Sequence, residues 1–301
     1  MTATAIFADR ALTPLEEITD CAIVIEDHRI SAVGRRDSVD IPRGAREIRA
    51  PGMTIVPGFV DVHIHGAGGH DVMEADPDAL SVVARTVARF GTTSFVATTV
   101  TAALDRTRLA LEGIARFIRA QSTSGGAEAV AEILGVHFEG PFISHTRRGV
   151  HPEEWITAPS VESLRQMLKA ADGCGKILTL APELPGALDL VDAARAEGLV
   201  VALGHTDATF SESQAAIRRG AHHAVDVFNA MRPFSHRETG ILGAVLTSPE
   251  VTTELIADGV HVDSAAMQLL FAAKGACRVV LVSDATAAAG MPDGTYRLGT
   301  L

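Results

Sequence analysis

The sequence predicts an α/β protein: a (β/α)8 TIM-type barrel with a small, here incomplete, β-sandwich domain built from its N-terminal segment. Three observations carry this reading. From residue 54, eight short, apolar, β-branched runs alternate with amphipathic stretches, the pattern of a parallel barrel wrapped in helices. Imidazoles and carboxylates recur at the carboxyl ends of those runs, where such barrels build their sites. Residues 1–53 lack the alternation, so the chain divides into a small β domain over 1–53 and a barrel over 54–301, which reads as cut off after its eighth strand.

In the first segment, strand-like runs at Thr4–Phe7, Cys21–Ile25, Ile30–Val33 and Glu47–Arg49 are separated by turn-rich pieces such as Glu26-Asp27-His28, a small β layer. The eight barrel runs are Thr54–His65, Thr93–Val100, Ile133–Glu139, Ile177–Pro182, Val200–His205, Ala224–Asn229, Thr253–Ala257 and Arg278–Ser283. Near-continuous apolar runs suit strands buried on both faces. Between them, Asp78–Phe90 places Leu80, Val83, Ala84 and Val87 on one helical face. Ser160–Ala171 reads as a helix capped by Ser160, and Thr209–Arg219 opens with the capping-box pattern Thr209-x-x-Glu212. Gly91, Gly198, Gly220 and Gly275 stand where helices stop. Gln121–Gly126 reads as a surface loop, and His222 and His223 as helix-to-strand loop residues. The competing fold, an open doubly wound sheet, would need a GxGxxG opening a helix, and none does.

Composition narrows the function classes. A chain of 301 residues with 47% apolar and 21% charged residues has ample material for a core. A formal charge of −11 disfavours nucleic acid or an anionic membrane as partner. No apolar stretch is long enough to span a bilayer, and Asp9, Arg10, Glu16 and Glu17 interrupt the N-terminal region where a secretory signal would need an apolar core. Cys21, Cys174 and Cys277 are odd in number and scattered, which fits a reducing, cytoplasmic setting and no thiolate metal site.

The chemistry lies at the strand ends. The first run ends in His63-Ile64-His65, the third in His137-Phe138-Glu139-Gly140-Pro141, the fourth in Pro182-Glu183, the fifth in Gly204-His205, the sixth in Asp226-x-x-Asn229 and the eighth in Ser283-Asp284. Residues i and i+2 of a strand share a face, so His63 and His65 can aim two nitrogens at one point. Imidazole and carboxylate together suit zinc or a similar divalent ion. Either histidine alone would more often be a hydrogen-bonded structural residue. Asp284 reads either as a helix cap or as a general base beside an activated water.

The segments HIHG (63–66), HFEGPF (137–142), TLAPE (179–183), GHTDAT (204–209), FNAM (228–231), HRETG (236–240), IADGVHVD (256–263) and SDATAAAGM (283–291) together resemble the N-acetylglucosamine-6-phosphate deacetylases of the amidohydrolase superfamily. The resemblance implies a homodimeric enzyme that uses one or two divalent ions (zinc foremost, with iron, cobalt and manganese as others). It would release acetate from N-acetylglucosamine 6-phosphate. It implies Glu139 and His205 as core metal ligands, His63 and His65 as a second-metal pair, and Asp284 as the catalytic carboxylate. Asn229, Ala230, His151 and His261 would contact substrate, and Arg237 would bind phosphate in the neighbouring subunit's site.

Two departures stand out. Asp226 occupies the place of the family's third histidine ligand; a carboxylate is an acceptable ligand, though shorter and charged. The chain also stops at Leu301, before the last helix and strands that the resemblance implies. The rival expectations are an amidohydrolase acting on a cyclic amide or another N-acyl amino sugar, and an inactive homologue or fragment.

Overall fold

A computed structural model describes residues 3–123 and 130–299. It falls into two compact units that divide between Phe59 and Val60. The first is a four-stranded sheet of β1 (Thr4–Leu12), β2 (Glu17–Glu26), β3 (Arg29–Arg35) and β4 (Arg46–Ile55), in the order β3-β2-β1-β4. β1 pairs antiparallel with β2 and parallel with β4. The expected turn joins β2 to β3, with Asp27 and His28 at φ 49° and 66°, the left-handed pair that a two-residue hairpin requires. Each strand runs beyond its expected bounds, because main-chain pairing continues past the apolar cores of the runs into polar residues such as Arg10, Glu17, Glu26, Arg29 and Arg46.

The second unit is the predicted barrel. Its strands are β5 (Phe59–Ile64), β8 (Thr92–Thr99), β9 (Glu132–Glu139), β10 (Gly175–Leu180), β11 (Val200–Leu203), β12 (His223–Ala224), β13 (Thr252–Ile256) and β14 (Val279–Val282). They lie in sequence order in one eight-stranded sheet. A two-residue hairpin, β6 (Gly66–Ala67) with β7 (His70–Asp71), follows the first. The ring is drawn together just past β14. The Asp284 N–H donates to the His63 carbonyl at 3.0 Å, the His65 N–H to the Ala285 carbonyl at 2.8 Å, and the Ser283 hydroxyl to the buried Asp61 carboxylate at 2.5 Å.

Two strand expectations change. Thr54 and Ile55 end β4 in the first unit rather than beginning the barrel. The sixth strand keeps only His223 and Ala224, because Asp226, Phe228 and Ala230 take φ of 51°, 82° and 46° and turn the backbone out of the sheet. His223 is therefore a strand residue, buried inside the barrel rather than in a loop. Of the stretch expected as a loop at Gln121–Gly126, residues 121–123 end helix α2 and the rest lies outside the described residues.

The helices are α1 (Pro77–Ala88), α2 (Leu104–Thr123), α3 (Val161–Ala171), α4 (Ala187–Ala196), α5 (Phe210–Arg218), α6 (Gly240–Thr247) and α7 (Ser264–Lys274). Their starts follow side-chain chemistry: Asp76, Ser160 and Asp263 accept backbone N–H bonds in the first turns of α1, α3 and α7, and Thr209 and Glu212 complete the capping box of α5. Such caps contribute about 1 kcal/mol each. The apolar helix faces bury Leu80, Val83, Leu111, Leu164, Leu190 and Ile217 against the outward strand residues Ile64, Phe95, Phe138, Leu178 and Leu203. No helix among the described residues is long and apolar enough to cross a membrane. With the outer strand faces committed to this core, the inward faces of β5, β9, β12 and β13 are left to hold polar groups.

Candidate active site

Glu139, the last residue of β9, is the centre of the site and only 2% exposed. One carboxylate oxygen, Oε1, lies 3.2 Å from both His63 Nε2 and His205 Nε2; the other, Oε2, lies 3.3 Å from both His65 Nε2 and His151 Nε2. Asp284 Oδ1 is 3.1 Å from His65 Nε2 and 3.6 Å from His63 Nε2. Asp226 Oδ2 is 3.6 Å from His205 Nε2, and its Oδ1 is 3.9 Å from His63 Nδ1. Side chains separated by more than 200 positions thus gather at one rim, at the carboxyl ends of the strands.

Local backbone conformation aims them. His205, Asp226 and Asp284 each follow a strand and take φ of 46°, 51° and 47°, a left-handed conformation that costs a non-glycine residue about 1 kcal/mol or more. In each case the turn swings the side chain over the barrel mouth. Gly140 sits beside Glu139 at φ 78°, and an added Cβ would collide with the Thr101 hydroxyl, so only glycine lets that hydroxyl approach. Glu183 holds the loop that carries His205, accepting from the Thr206 hydroxyl at 2.5 Å and the Asp207 N–H at 2.7 Å.

Hydrogen bonds to the far ring nitrogens settle which atoms face the centre. Nδ1 of His65 meets the Thr98 carbonyl at 3.0 Å, and Nδ1 of His205 meets the Arg147 carbonyl at 3.1 Å. Nδ1 of His63 meets Glu254 Oε2 at 2.7 Å. A carbonyl or carboxylate only accepts, so each Nδ1 donates and each Nε2 is the atom turned to the centre, a ligand atom once its own proton is displaced. His151 is the reverse. Its Nδ1 accepts from the Thr101 N–H at 3.2 Å, so its Nε2–H donates to Glu139.

Charge and burial compete throughout. Burial alone would lower the His65 imidazole, but hydrogen bonds to Asp284 and Glu139 outweigh it and push it up to about 10. Burial is likewise outweighed at His205, which Glu139 and Asp226 raise to about 10, and at His63, raised by Asp226, Glu139 and Glu254. Burial would raise Glu139, yet His63 and His205 hold it well below the usual carboxylate range. At Asp226 burial wins and the carboxyl is raised. At His137 burial, helped by His63, pulls the ring down to about 3. The cluster therefore balances its carboxylates with protons on imidazoles, protons that a divalent cation would replace.

The residues present fit such a cation. His63 Nε2, Glu139 Oε1 and Asp226 Oδ1 are fully buried and have no hydrogen-bond partner; buried polar atoms left unmet cost about 1–3 kcal/mol each. Among the described residues, the groups able to hold an ion are His63 with His65 and Asp284; Glu139 with His151 and His205; and His63 with Asp226 and Glu254.

The structure brings together all the expected ligands (His63, His65, Glu139, His205 and Asp226) and Asp284. His151 joins them as a buried donor to Glu139 rather than at an open surface. Asn229 stands one turn from Asp226, bonded through its backbone, with a buried Nδ2 that has no partner. Ala230 lies beside it, its carbonyl accepting from the Thr206 N–H. Arg237 is exposed, and so is His261, whose ring is paired with Asp258 at 2.7 Å. The sequence reading missed Glu254 and His223. The available signal was a charged residue, Glu254, inside the run Thr253–Ala257, which on a strand buried on both faces requires a partner.

Comparison with known proteins agrees. The amidohydrolase family profile matches residues 54–295. The chain is 38% identical to the N-acetylglucosamine-6-phosphate deacetylase of Bacillus subtilis (strain 168), over 96% of this chain and 72% of that protein. It is also 38% identical to the N-acetylgalactosamine-6-phosphate deacetylase of Escherichia coli O157:H7, over 97% of this chain and 74% of that one. Among solved structures, an aspartate-to-alanine mutant of N-acetyl-D-glucosamine-6-phosphate deacetylase from Mycobacterium smegmatis, in complex with N-acetyl-D-glucosamine-6-phosphate, superposes with a TM-score of 0.90 at 36% identity, covering 99% of this chain and 75% of that one. This chain is thus a member of the amidohydrolase family, in the branch of the N-acetylglucosamine-6-phosphate deacetylases.

Proposed function

We propose that this protein hydrolyses the acetamide of N-acetylglucosamine 6-phosphate to glucosamine 6-phosphate and acetate. The observation that carries the reading is the set of orphaned, buried donor atoms around Glu139, in a chain whose relatives are deacetylases of this sugar phosphate. Glu139, His205, Asp226 and His63 would hold a divalent ion, with His65 beside His63 for a second. Imidazole nitrogen and carboxylate oxygen suit zinc, and iron, cobalt or manganese would also accept the set. When bound, such an ion lowers the pKa of water and polarises a carbonyl.

The chain's own residues do the rest. Asp284, whose side chain at 29% exposure is more open than those of Glu139 (3%), Asp226 (6%) and Glu254 (0%), takes the proton of the attacking water on Oδ1. It returns that proton to the nitrogen as the C–N bond breaks and the new C–O bond becomes part of acetate. The unpartnered Nδ2 of Asn229 and the Ala230 backbone bind the sugar phosphate. His151 donates to Glu139 and would contact the substrate from the segment that follows residues 147–149. Arg237, exposed and planar, binds the phosphate with a fork of donors, reaching the site of a second subunit in a homodimer, with His261 contributing to the same pocket. A cytoplasmic setting suits three cysteines that form no disulfide.

The test is acetate release from N-acetylglucosamine 6-phosphate by the metal-loaded protein, with N-acetylgalactosamine 6-phosphate and unphosphorylated N-acetylglucosamine alongside. Turnover of the first, lost on chelation, supports the reading. No acetate from any of them, in folded and metal-loaded protein, overturns it.

A further inference from the structure

We propose that Glu254 is the positioning residue of the metal centre, fixing the His63 ring so that only Nε2 is free to bind the ion. The inference rests on the metal-dependent reading above. Glu254 lies in the middle of β13, fully buried inside the barrel. Its Oε2 accepts from His63 Nδ1 at 2.7 Å, and its Oε1 accepts from His223 Nε2 at 2.9 Å. His223 Nδ1 in turn meets the Thr252 hydroxyl at 2.6 Å. The carboxylate thus ties β13 to β5 and β12 across the barrel interior.

His65 and His205 anchor the same nitrogen on backbone carbonyls, whereas His63 anchors it on a carboxylate, a stronger acceptor that also raises the basicity of the opposite nitrogen. That opposite nitrogen, His63 Nε2, is buried without a hydrogen-bond partner and lies 3.2 Å from Glu139 Oε1. Glu254 stands on the Nδ1 side of the ring, so it cannot share an ion with His63 Nε2. On the Nδ1 side, where Glu254 and Asp226 could themselves flank an ion, the 2.7 Å separation of Nδ1 and Oε2 is that of a direct hydrogen bond, so orientation rather than ligation is the role assigned to Glu254. Burial would raise the Glu254 carboxyl, but His63 and His223 outweigh it and keep it ionised.

The experiment compares wild type, Glu254→Gln and Glu254→Ala by chelator competition for Zn²⁺ and by the visible absorption of the Co²⁺-loaded protein. Gln keeps both bonds: its carbonyl accepts from His63 Nδ1, and its NH2 donates to Nε2 of a His223 whose proton has moved to the Thr252 side. The expected result is metal affinity in Gln within about threefold of wild type, and in Ala a loss of about 10–100-fold, the usual effect of removing a partner from a ligating histidine, with an altered Co²⁺ spectrum. Wild-type affinity and spectrum in Ala would overturn the proposal. So would an equal loss in Gln and Ala, since the carboxylate would then act as a ligand or as a bare charge. Should Ala not fold by circular dichroism, Glu254→Asp, withdrawn from both rings by one methylene, replaces it with the same expected loss. A wild-type protein that binds no metal would sink the reading of function itself, a result distinct from wild-type-like binding in the variants.

Discussion

Asp284→Asn isolates the proton-transfer step. The amide matches the carboxylate in size, so it leaves no cavity. Asp284 is partly exposed and bonded to the buried His65; the amide oxygen can still accept from that ring, so exchanging a charged acceptor for a neutral one costs about 1–2 kcal/mol. The fold and the buried ligands Glu139, His205 and Asp226 should therefore survive. What disappears is the oxygen that accepts and returns a proton, a function worth about 10²–10⁴ in rate, or about 2.7–5.5 kcal/mol of barrier. With the side chain 29% exposed, bulk water and buffer can partly take over the proton, which favours the lower half: a kcat reduction of about 10²–10³. The assay is acetate release at saturating substrate and saturating Zn²⁺, with metal content measured on the same samples. A kcat within tenfold of wild type, or a deficit cured by excess metal, would refute the reasoning; the second result would make Asp284 a ligand rather than a proton carrier.

Three further outcomes follow from the same structure. Asp226→Ala should weaken metal binding by about tenfold or more, about 1.4 kcal/mol, in chelator competition; an unchanged affinity would remove Asp226 from the site and leave His63, Glu139 and His205 as its ligands. Phe138→Ala, which empties a fully buried ring between His137 and Glu139, should destabilise the protein by about 3–5 kcal/mol in denaturant melts, and a loss below about 1 kcal/mol would contradict the packing described. Arg237→Ala should raise KM for the phosphorylated sugar with little change in kcat, the signature of lost uniform binding; an unchanged KM would place the guanidinium outside the pocket.

Much of this was legible in the sequence, for identifiable reasons. The apolar runs mark barrel strands because strands covered on both faces leave little room for polar residues, so the exceptions stand out. His63, His65, Glu139 and His205 were visible as exceptions at strand ends. The capping residues Ser160 and Thr209 marked helix starts because their side chains meet backbone donors that nothing else satisfies. Other features were hidden. The shortness of β12 depends on left-handed turns at Asp226, Phe228 and Ala230, a conformation that Phe and Ala rarely adopt and that no local pattern announces. Glu254 and His223 meet inside the barrel from neighbouring strands, a pairing that depends on register and not on local pattern. The inverted hydrogen bonding of His151, whose Nδ1 accepts where those of His63, His65 and His205 donate, rests on a backbone N–H at Thr101, fifty residues away in the chain.

The central claim is that the cluster around Glu139 exists to hold a divalent ion. Elemental analysis of the purified wild type beside Glu139→Ala tests it most directly. The expected result is one or two equivalents of metal per chain in the wild type and close to none in the variant. A wild type that releases acetate at full rate without metal, or a variant that retains the wild-type metal content, would contradict it.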